Sequence, residues 1–194
     1  MNERGNDMDK KVYIFLAEGF EEVEAGTPID ILRRAGIDVK LVAIDDSEYV
    51  TGARNITFKA DVKLSELDKD GADMLILPGG MPGTTNLYNC KPLMELVKEY
   101  NEKGKRIAAI CAAPTIFGKL GLLEGKKACC YPGMEDELYG AEVYVEPVVT
   151  DGNITTSRGM GTAVDFALEL LTLLTGSEQE AVEMAKKVVY SKNN

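Results

Sequence analysis

The chain has 194 residues, of which 45% are hydrophobic and 28% are charged, and it carries a formal charge of −10. These values are typical of one globular domain with a well-buried core. The acidic balance argues against a nucleic-acid partner, because proteins that bind a phosphate backbone usually present a basic face. No apolar run approaches the roughly 18 residues that a membrane-spanning helix needs, so no membrane partner is expected.

The N-terminus is polar and has the features of neither a secretory signal nor a transit peptide. We expect residues 1–10 to be a disordered tail, residues 11–190 to be one domain, and the protein to be cytoplasmic with reduced cysteines. The chain contains no histidine. That absence removes the commonest zinc ligand and excludes Cys-His and Ser-His-Asp catalysis within one subunit. We expect no metal and no cofactor.

Hydrophobic periodicity predicts strands alternating with helices along the chain. The predicted strands are 11–17, 38–44, 73–77, 106–110 and 127–130, with a hairpin within 45–60 and a second hairpin of 143–149 and 154–156 around the turn 150–153. The predicted helices are 21–35, a segment at 91–103, a short one ending near 120, then 162–175 and 177–190. Apolar strands between helices indicate one doubly wound α/β domain, with a mostly parallel sheet covered on both faces.

Three predicted strands end at positions that matter for function. Ala17, Leu77 and Ile110 are each followed by a turn rich in small or polar residues. Ligands of doubly wound sheets bind outside the carboxyl ends of the strands. We therefore expect these three turns to be neighbours and to form the site.

Cys111 follows an apolar strand directly and precedes Ala112, Ala113 and Pro114. A strand, a sharp turn and a helix with a nucleophile at the corner form a nucleophile elbow. A thiol near a helix N-terminus is expected to have a lowered pKa. A buried core cysteine explains the same spacing equally well, so the local pattern leaves both interpretations open.

Glu24 is the candidate partner for this thiol. On a helix it shares a row with Pro28, Ile31 and Ala35, which faces the sheet. An inward carboxyl without a nearby cation should have a raised pKa and stay protonated. It would then fill the role left vacant by histidine, whereas Glu21 and Glu22 fit a simple interaction with the positive end of the helix.

Glycines and one aromatic residue complete the candidate site. Gly79 and Gly80 follow the third strand, where they serve a tight turn or let backbone N–H groups approach a ligand. The N–H groups of Gly80 and Ala112 can then form an oxyanion hole. Tyr131 and Cys130 follow another strand and are candidates for the pocket wall. The loop around Arg158 is either a solvated helix entry or the rim of the site.

Together these segments resemble the ThiJ/PfpI superfamily, in the branch of the human parkinsonism-associated protein deglycase and its bacterial ThiJ-type relatives. The resemblance rests on the segments 19–24, 33–36, 77–80, 108–114 and 156–162. It implies a flavodoxin-like three-layer sandwich, a homodimer, and a readily oxidised cysteine at Cys111 that is hydrogen-bonded by protonated Glu24. Ala112 stands where the peptidase branch has histidine, which excludes a Cys-His protease. Tyr131 stands where the deglycase branch often has histidine, and phenols are poorer proton shuttles near neutrality.

Two functional hypotheses follow from the resemblance. In the first, the protein is a stress-response enzyme of the glyoxalase III or deglycase type, with a Cys111 thiolate that attacks a small reactive carbonyl or a glycated protein. In the second, it is a non-enzymatic redox sensor or chaperone that is switched by oxidation of Cys111 to the sulfinate.

Overall fold

The computed structural model describes residues 10–191. Its main sheet has seven strands in the order β10-β11-β7-β6-β1-β2-β5, and all neighbours are parallel except β10 and β11. Those strands are β1 (Lys11–Leu16), β2 (Asp38–Ala43), β5 (Val62–Lys63), β6 (Met74–Leu77), β7 (Arg106–Ile110), β10 (Val148–Asp151) and β11 (Ile154–Ser157). The predicted mostly parallel α/β sheet is confirmed.

Within the described residues, six α-helices cover the sheet: α1 (Glu22–Arg34), α2 (Gly83–Asn89), α3 (Lys91–Glu102), α4 (Pro114–Lys119), α5 (Ala163–Thr175) and α6 (Glu178–Lys187). One buried cluster joins the sheet to α2, α3 and α4, and a second joins the opposite face to α1, α5 and α6. The strands are apolar on both faces because both faces are covered. The fold is the expected three-layer, flavodoxin-like sandwich.

Two small strand pairs lie outside the main sheet. The predicted hairpin within 45–60 is present as β3 (Tyr49–Thr51) and β4 (Thr57–Lys59), which pair antiparallel. The second pair joins β8 (Lys127–Ala128) and β9 (Glu142–Val143) in parallel. The tip of the β3–β4 hairpin, at Ala53 and Arg54, reaches the candidate site.

The predicted hairpin around the turn 150–153 is present as β10 paired antiparallel with β11, but the bounds predicted for its first strand, 143–149, are wrong. Val143 belongs to β9, and the Tyr144 N–H donates to the Ala128 carbonyl, so this segment pairs with β8. Pro147 then interrupts the chain, since it has no N–H to donate to a ladder. The strand that pairs with β11 begins only at Val148 and extends through Asp151.

Other differences concern the lengths of elements. The strand predicted for 127–130 ends at Ala128, because the Cys129 N–H donates to the Thr156 hydroxyl at 3.0 Å. Helix α2 and edge strand β5 were not predicted. The last helix ends at Lys187 and not at 190, and Ser177 caps its N-terminus, accepting from the Glu180 N–H at 3.3 Å.

Of the predicted tail, residues 1–9 lie outside the described part of the chain. Among the helices of residues 10–191, none has both the length and the apolar character needed to cross a bilayer.

Candidate active site

The turns after β1, β6 and β7 meet at one edge of the sheet, because these three strands are adjacent in the order β7-β6-β1. Cys111, the first residue after β7, has a φ of +66°. A non-glycine residue in this region is uncommon and is over-represented at functional sites. The Cys111 N–H donates to the Ser157 carbonyl at 3.0 Å, and its carbonyl accepts from the Tyr131 N–H at 2.8 Å. The neighbouring strands thus hold the turn that projects the thiol.

Glu24 meets this thiol from the first turn of α1. Its side chain is 1% exposed, and its carboxyl is hydrogen-bonded to the Cys111 sulfur. The Gly79 N–H donates to Glu24 Oε2 at 3.0 Å. The helical row predicted from the sequence therefore does face inward, with Pro28 and Ile31 also buried.

Gly79 permits this meeting of two side chains. A Cβ on Gly79 would lie 2.6 Å from Glu24 Oε2 and 2.7 Å from the Cys111 Cβ, closer than real Cβ contacts. Gly80 has a φ of +92°, which is readily accessible to glycine alone. The two glycines thus form the predicted tight turn, and Gly79 also lets Glu24 and Cys111 approach each other; the approach of the N–H groups to a ligand stays a prediction.

Burial raises the pKa of the Glu24 carboxyl to about 7, although the hydrogen bonds from Cys111, Gly79 and Met160 oppose the shift. No basic side chain forms an ion pair with it among the described residues. A carboxyl with a pKa near neutrality can both accept and donate a proton under physiological conditions.

The lowered pKa expected for Cys111 is not found. Burial, followed by the charge of Glu24 and its hydrogen bond, raises the pKa of the thiol to about 12. The backbone N–H groups of Ala112 and Gly80 oppose this shift but do not outweigh it, and α4 is short and begins three residues later, at Pro114. Near pH 7 the pair therefore holds its last proton mainly on sulfur, and Glu24 is the group placed to receive it.

The backbone N–H groups of Ala112 and Gly80 form hydrogen bonds to the Cys111 sulfur and lower its pKa. Gly80 lies in the turn after β6 and Ala112 in the turn after β7. Donors aimed at one reacting atom can also hold an oxygen that becomes negatively charged there. The geometry therefore provides an acid–base group, a thiol and two backbone donors around one point.

This constellation opens into a cavity of about 660 Å³. Its walls are built by residues from five loops and from α1: Glu21, Val23, Glu24, Ala53, Arg54, Gly80, Met81, Cys111, Ala112, Tyr131, Met134 and Met160. Of the six central candidates, Glu24, Gly80, Cys111, Ala112 and Tyr131 line the wall, and Gly79 lies directly behind Glu24 and Cys111.

The other candidates are placed less centrally. Tyr131 is half exposed and its ring lies beside Gly159, where a Cβ would be 3.5 Å from the Tyr131 Cδ2. Cys130, which had been considered for the pocket, is buried in the core and its sulfur donates to the Tyr131 carbonyl at 3.4 Å. From the segment around Arg158, Met160 and not the arginine reaches the cavity.

Glu22 has a role that the sequence did not reveal. Its side chain is buried, and Oε1 accepts from the backbone N–H groups of Arg54 at 2.6 Å and Ile56 at 3.3 Å. The Ala53 N–H adds a 2.7 Å bond to the Phe20 carbonyl. These bonds hold the tip of the β3–β4 hairpin, with Ala53 and Arg54, against the cavity.

The sequence did not predict that the hairpin tip lines the cavity, because the partners of Glu22 lie 32 and 34 residues away along the chain.

Within residues 10–191, His, Cys, Asp and Glu side chains form no group of three or more that could hold a metal ion.

Comparison with known proteins agrees with this fold. The chain is 44% identical over 186 residues to the Arabidopsis thaliana protein DJ-1 homolog B, covering 95% of this chain and 42% of the plant protein. It is 38% identical to the Drosophila melanogaster protein dj-1beta, over 96% of this chain and the whole relative. The chain thus spans less than half of the plant relative and all of the insect one.

Solved structures give the same result. Toxoplasma gondii DJ-1, in an oxidized form, superposes with a TM-score of 0.90 at 35% identity, covering 94% of this chain and all of that one. Drosophila DJ-1beta superposes with a TM-score of 0.88 at 36% identity, covering 95% and 100%. The model of the DJ-1/PfpI family matches residues 10–173. The chain belongs to the DJ-1/PfpI family.

Proposed function

We propose that this protein is a cysteine-dependent enzyme that converts small reactive 2-oxoaldehydes to 2-hydroxy acids without a cofactor. One observation carries the proposal: a buried carboxyl with a pKa of about 7, Glu24, is hydrogen-bonded to the thiol of Cys111 at the floor of an open cavity. A thiol that is paired with a proton acceptor and accessible from a cavity is the arrangement that nucleophilic catalysis requires.

In the first step the Cys111 thiol transfers its proton to the Glu24 carboxylate, giving a thiolate and a carboxylic acid. The thiolate adds to the aldehyde carbon, and the carbonyl oxygen becomes an oxyanion that the N–H groups of Gly80 and Ala112 can stabilise. Glu24 returns the proton to this oxygen, so that a hemithioacetal and a carboxylate result. The charge of the pair is thus restored before the next step.

In the second stage the Glu24 carboxylate removes the proton from the former aldehyde carbon, giving an enediolate, and returns it to the neighbouring carbon, while the hydroxyl proton passes from the first oxygen to the oxygen of the neighbouring carbon. The product is a thioester of a 2-hydroxy acid, which water hydrolyses to release Cys111. The sum is RCOCHO plus H₂O giving RCH(OH)COOH, an internal redox change that needs no external oxidant. Because the chain has no histidine, Glu24 serves as the acid–base group in both stages.

A named relative supports this choice among carbonyl reactions. The Caenorhabditis elegans protein named glutathione-independent glyoxalase DJR-1.2 is 34% identical over 163 residues, or 84% of this chain and 87% of the relative. A thiol supplied by the protein itself, Cys111 here, would account for independence from glutathione. A role in protecting the cell from reactive carbonyls follows from the same chemistry.

The test is the formation of lactate from methylglyoxal by the wild type and by Cys111→Ala, at equal concentrations of folded protein. We expect turnover by the wild type alone. Equal lactate formation by both proteins, or none by either, would overturn the proposal. Circular dichroism of both proteins serves as the control for folding.

A redox sensor is the second candidate, and it rests on the same donors. The N–H groups of Gly80 and Ala112 around the Cys111 sulfur can hold a sulfinate oxygen, and protonated Glu24 can donate to another. Two equivalents of peroxide would convert the thiolate to the sulfinate with release of two waters. Intact-mass measurement after mild peroxide should find two added oxygens on Cys111, and fewer in Glu24→Ala. Oxidation spread over all four cysteines would exclude this function.

A glycated protein as substrate, chaperone activity, a homodimer and a cytoplasmic location stay predictions from the sequence. The glycated substrate and the small carbonyl require the same attack by Cys111. A comparison of free methylglyoxal with a methylglyoxal-modified peptide, each with the Cys111→Ala control, would separate them.

A further inference from the structure

The rim of the cavity above Cys111 is made of large apolar side chains that remain exposed. Met81 is 59% exposed, Met160 56%, Tyr131 50% and Val23 44%, and all four line the cavity. Met134 also lines the cavity and is partly buried. Apolar side chains gathered around the opening of a pocket indicate a ligand with an apolar part.

The floor and the walls of the cavity differ in chemistry. The polar groups that the proposed reaction uses are Cys111, Glu24 and the backbone N–H groups of Gly80 and Ala112, all at one end. The remaining wall carries mostly thioether and aliphatic surface, apart from the charged side chains of Glu21 and Arg54 and the Tyr131 hydroxyl. A substrate whose carbonyls occupy the floor therefore places its substituent against apolar walls.

The size of the cavity also favours a ligand with an apolar substituent. A volume of about 660 Å³ falls within the range of roughly 300–1,000 Å³ that is typical of pockets for drug-sized ligands. The five heavy atoms of methylglyoxal would leave most of the walls uncovered. Methionine side chains are flexible and polarisable, and they adapt to apolar groups of different shape.

We propose that the cavity selects 2-oxoaldehydes with a bulky apolar substituent over both methylglyoxal and polyhydroxylated, sugar-derived 2-oxoaldehydes. This inference rests on the proposed function and names the substrate class for it. Each methylene buried against the rim contributes transfer free energy to binding, whereas each hydroxyl facing a thioether loses hydrogen bonds to water and gains none.

A matched set of three substrates tests the proposal. 2-Oxohexanal extends methylglyoxal by three methylenes, and 3-deoxyglucosone has the same six-carbon chain with three hydroxyls added. We expect kcat/KM to rise about two- to fourfold per methylene, so roughly tenfold or more for 2-oxohexanal over methylglyoxal. For 3-deoxyglucosone we expect a kcat/KM no higher than that of methylglyoxal.

Variants of the rim supply the second readout. In the double variant Met81→Gln, Met160→Gln, which keeps the side-chain length, the 2-oxohexanal to methylglyoxal ratio of kcat/KM should fall at least threefold. Val145→Gln changes an apolar residue that is 69% exposed and outside the cavity, so it should retain the wild-type ratio. The ratio cancels any loss of folded protein.

The outcomes separate the two proposals. Equal kcat/KM for methylglyoxal and 2-oxohexanal, with turnover still dependent on Cys111, overturns the specificity and leaves the proposed function intact. Absence of Cys111-dependent turnover with all three substrates overturns the proposed function itself. A flat substrate series together with weakened self-association of Met81→Gln in sedimentation would assign the rim to a contact between copies and overturn the specificity as well.

Discussion

Cys111 and Cys130 differ in their surroundings far more than in their acidity. The pKa of each thiol is raised to about 12, and burial is the first cause in both cases. Cys130 packs in the core against apolar neighbours and donates to a backbone carbonyl. Cys111 faces a cavity, a carboxyl with a pKa near 7 and two backbone N–H groups. In the proposed reaction the Cys111 thiol therefore depends on a proton acceptor and on access, and not on being acidic by itself.

Replacement of each sulfur gives the largest expected effect. Cys111→Ser should lower kcat/KM for methylglyoxal more than about 10⁴-fold, because Glu24 cannot deprotonate an alcohol as it can a thiol. Cys130→Ala should lower it less than about threefold and reduce stability by about 1 kcal/mol through a small cavity. Lactate formation and urea unfolding measure the two effects. Similar losses of activity in both variants would contradict the distinction between the two thiols.

The carboxyl partner is tested next. Glu24→Gln keeps the shape and hydrogen bonding of a protonated carboxyl but cannot accept a proton, so kcat/KM should fall about 10²–10⁴-fold. Glu22→Gln is the matched control on the same helix, since its side-chain oxygen can still accept from Arg54 and Ile56, and it should lose less than about tenfold. A Glu24→Gln enzyme as active as Glu22→Gln would assign the proton transfers to another group.

The pH dependence of stability reports Glu24 without any substrate. Its pKa is about 7 in the folded protein and 4.5 for the ordinary group, so the folded state binds the proton more tightly. The resulting stabilisation is complete below about pH 4.5 and is lost as the pH rises through 7. Relative to Glu24→Gln, the wild-type free energy of unfolding should fall by about 2 kcal/mol between pH 5.5 and 8. Cys130→Ala should follow the wild-type slope, and parallel curves for wild type and Glu24→Gln would refute the raised pKa.

The close approach at Gly79 is expected to affect mainly the stability of the fold. Gly79→Ala places a Cβ against both Glu24 and Cys111, so it should destabilise the fold by about 1–3 kcal/mol and lower kcat/KM. Gly161→Ala is the control, because a Cβ there meets no atom within 4 Å. Thermal unfolding and lactate assays of the two variants measure the difference. A Gly79→Ala protein as stable as Gly161→Ala would show that the pair is less tightly confined than the distances indicate.

Much of the fold follows from local pattern. The strands before Cys111, Gly79 and Glu18 are apolar runs that end at turn residues, and their burial between two helical layers explains why the runs are continuous. The inward position of Glu24 follows from a helical period of 3.6. The strand predicted for 143–149 failed because Pro147 and a bond to Ala128 outweighed an apolar pattern.

The sequence by itself determined the order of elements, the corner at Cys111 and the face that carries Glu24, since each depends on residues a few positions apart. Only the tertiary structure decided what surrounds them. The hairpin tip is brought to the cavity by Glu22 across more than 30 residues, and the apolar rim combines Met81, Met134 and Met160 from three separate loops. The raised pKa of Cys111 is likewise a property of burial and of a carboxyl 87 positions away, because desolvation and charge act through space and not along the chain.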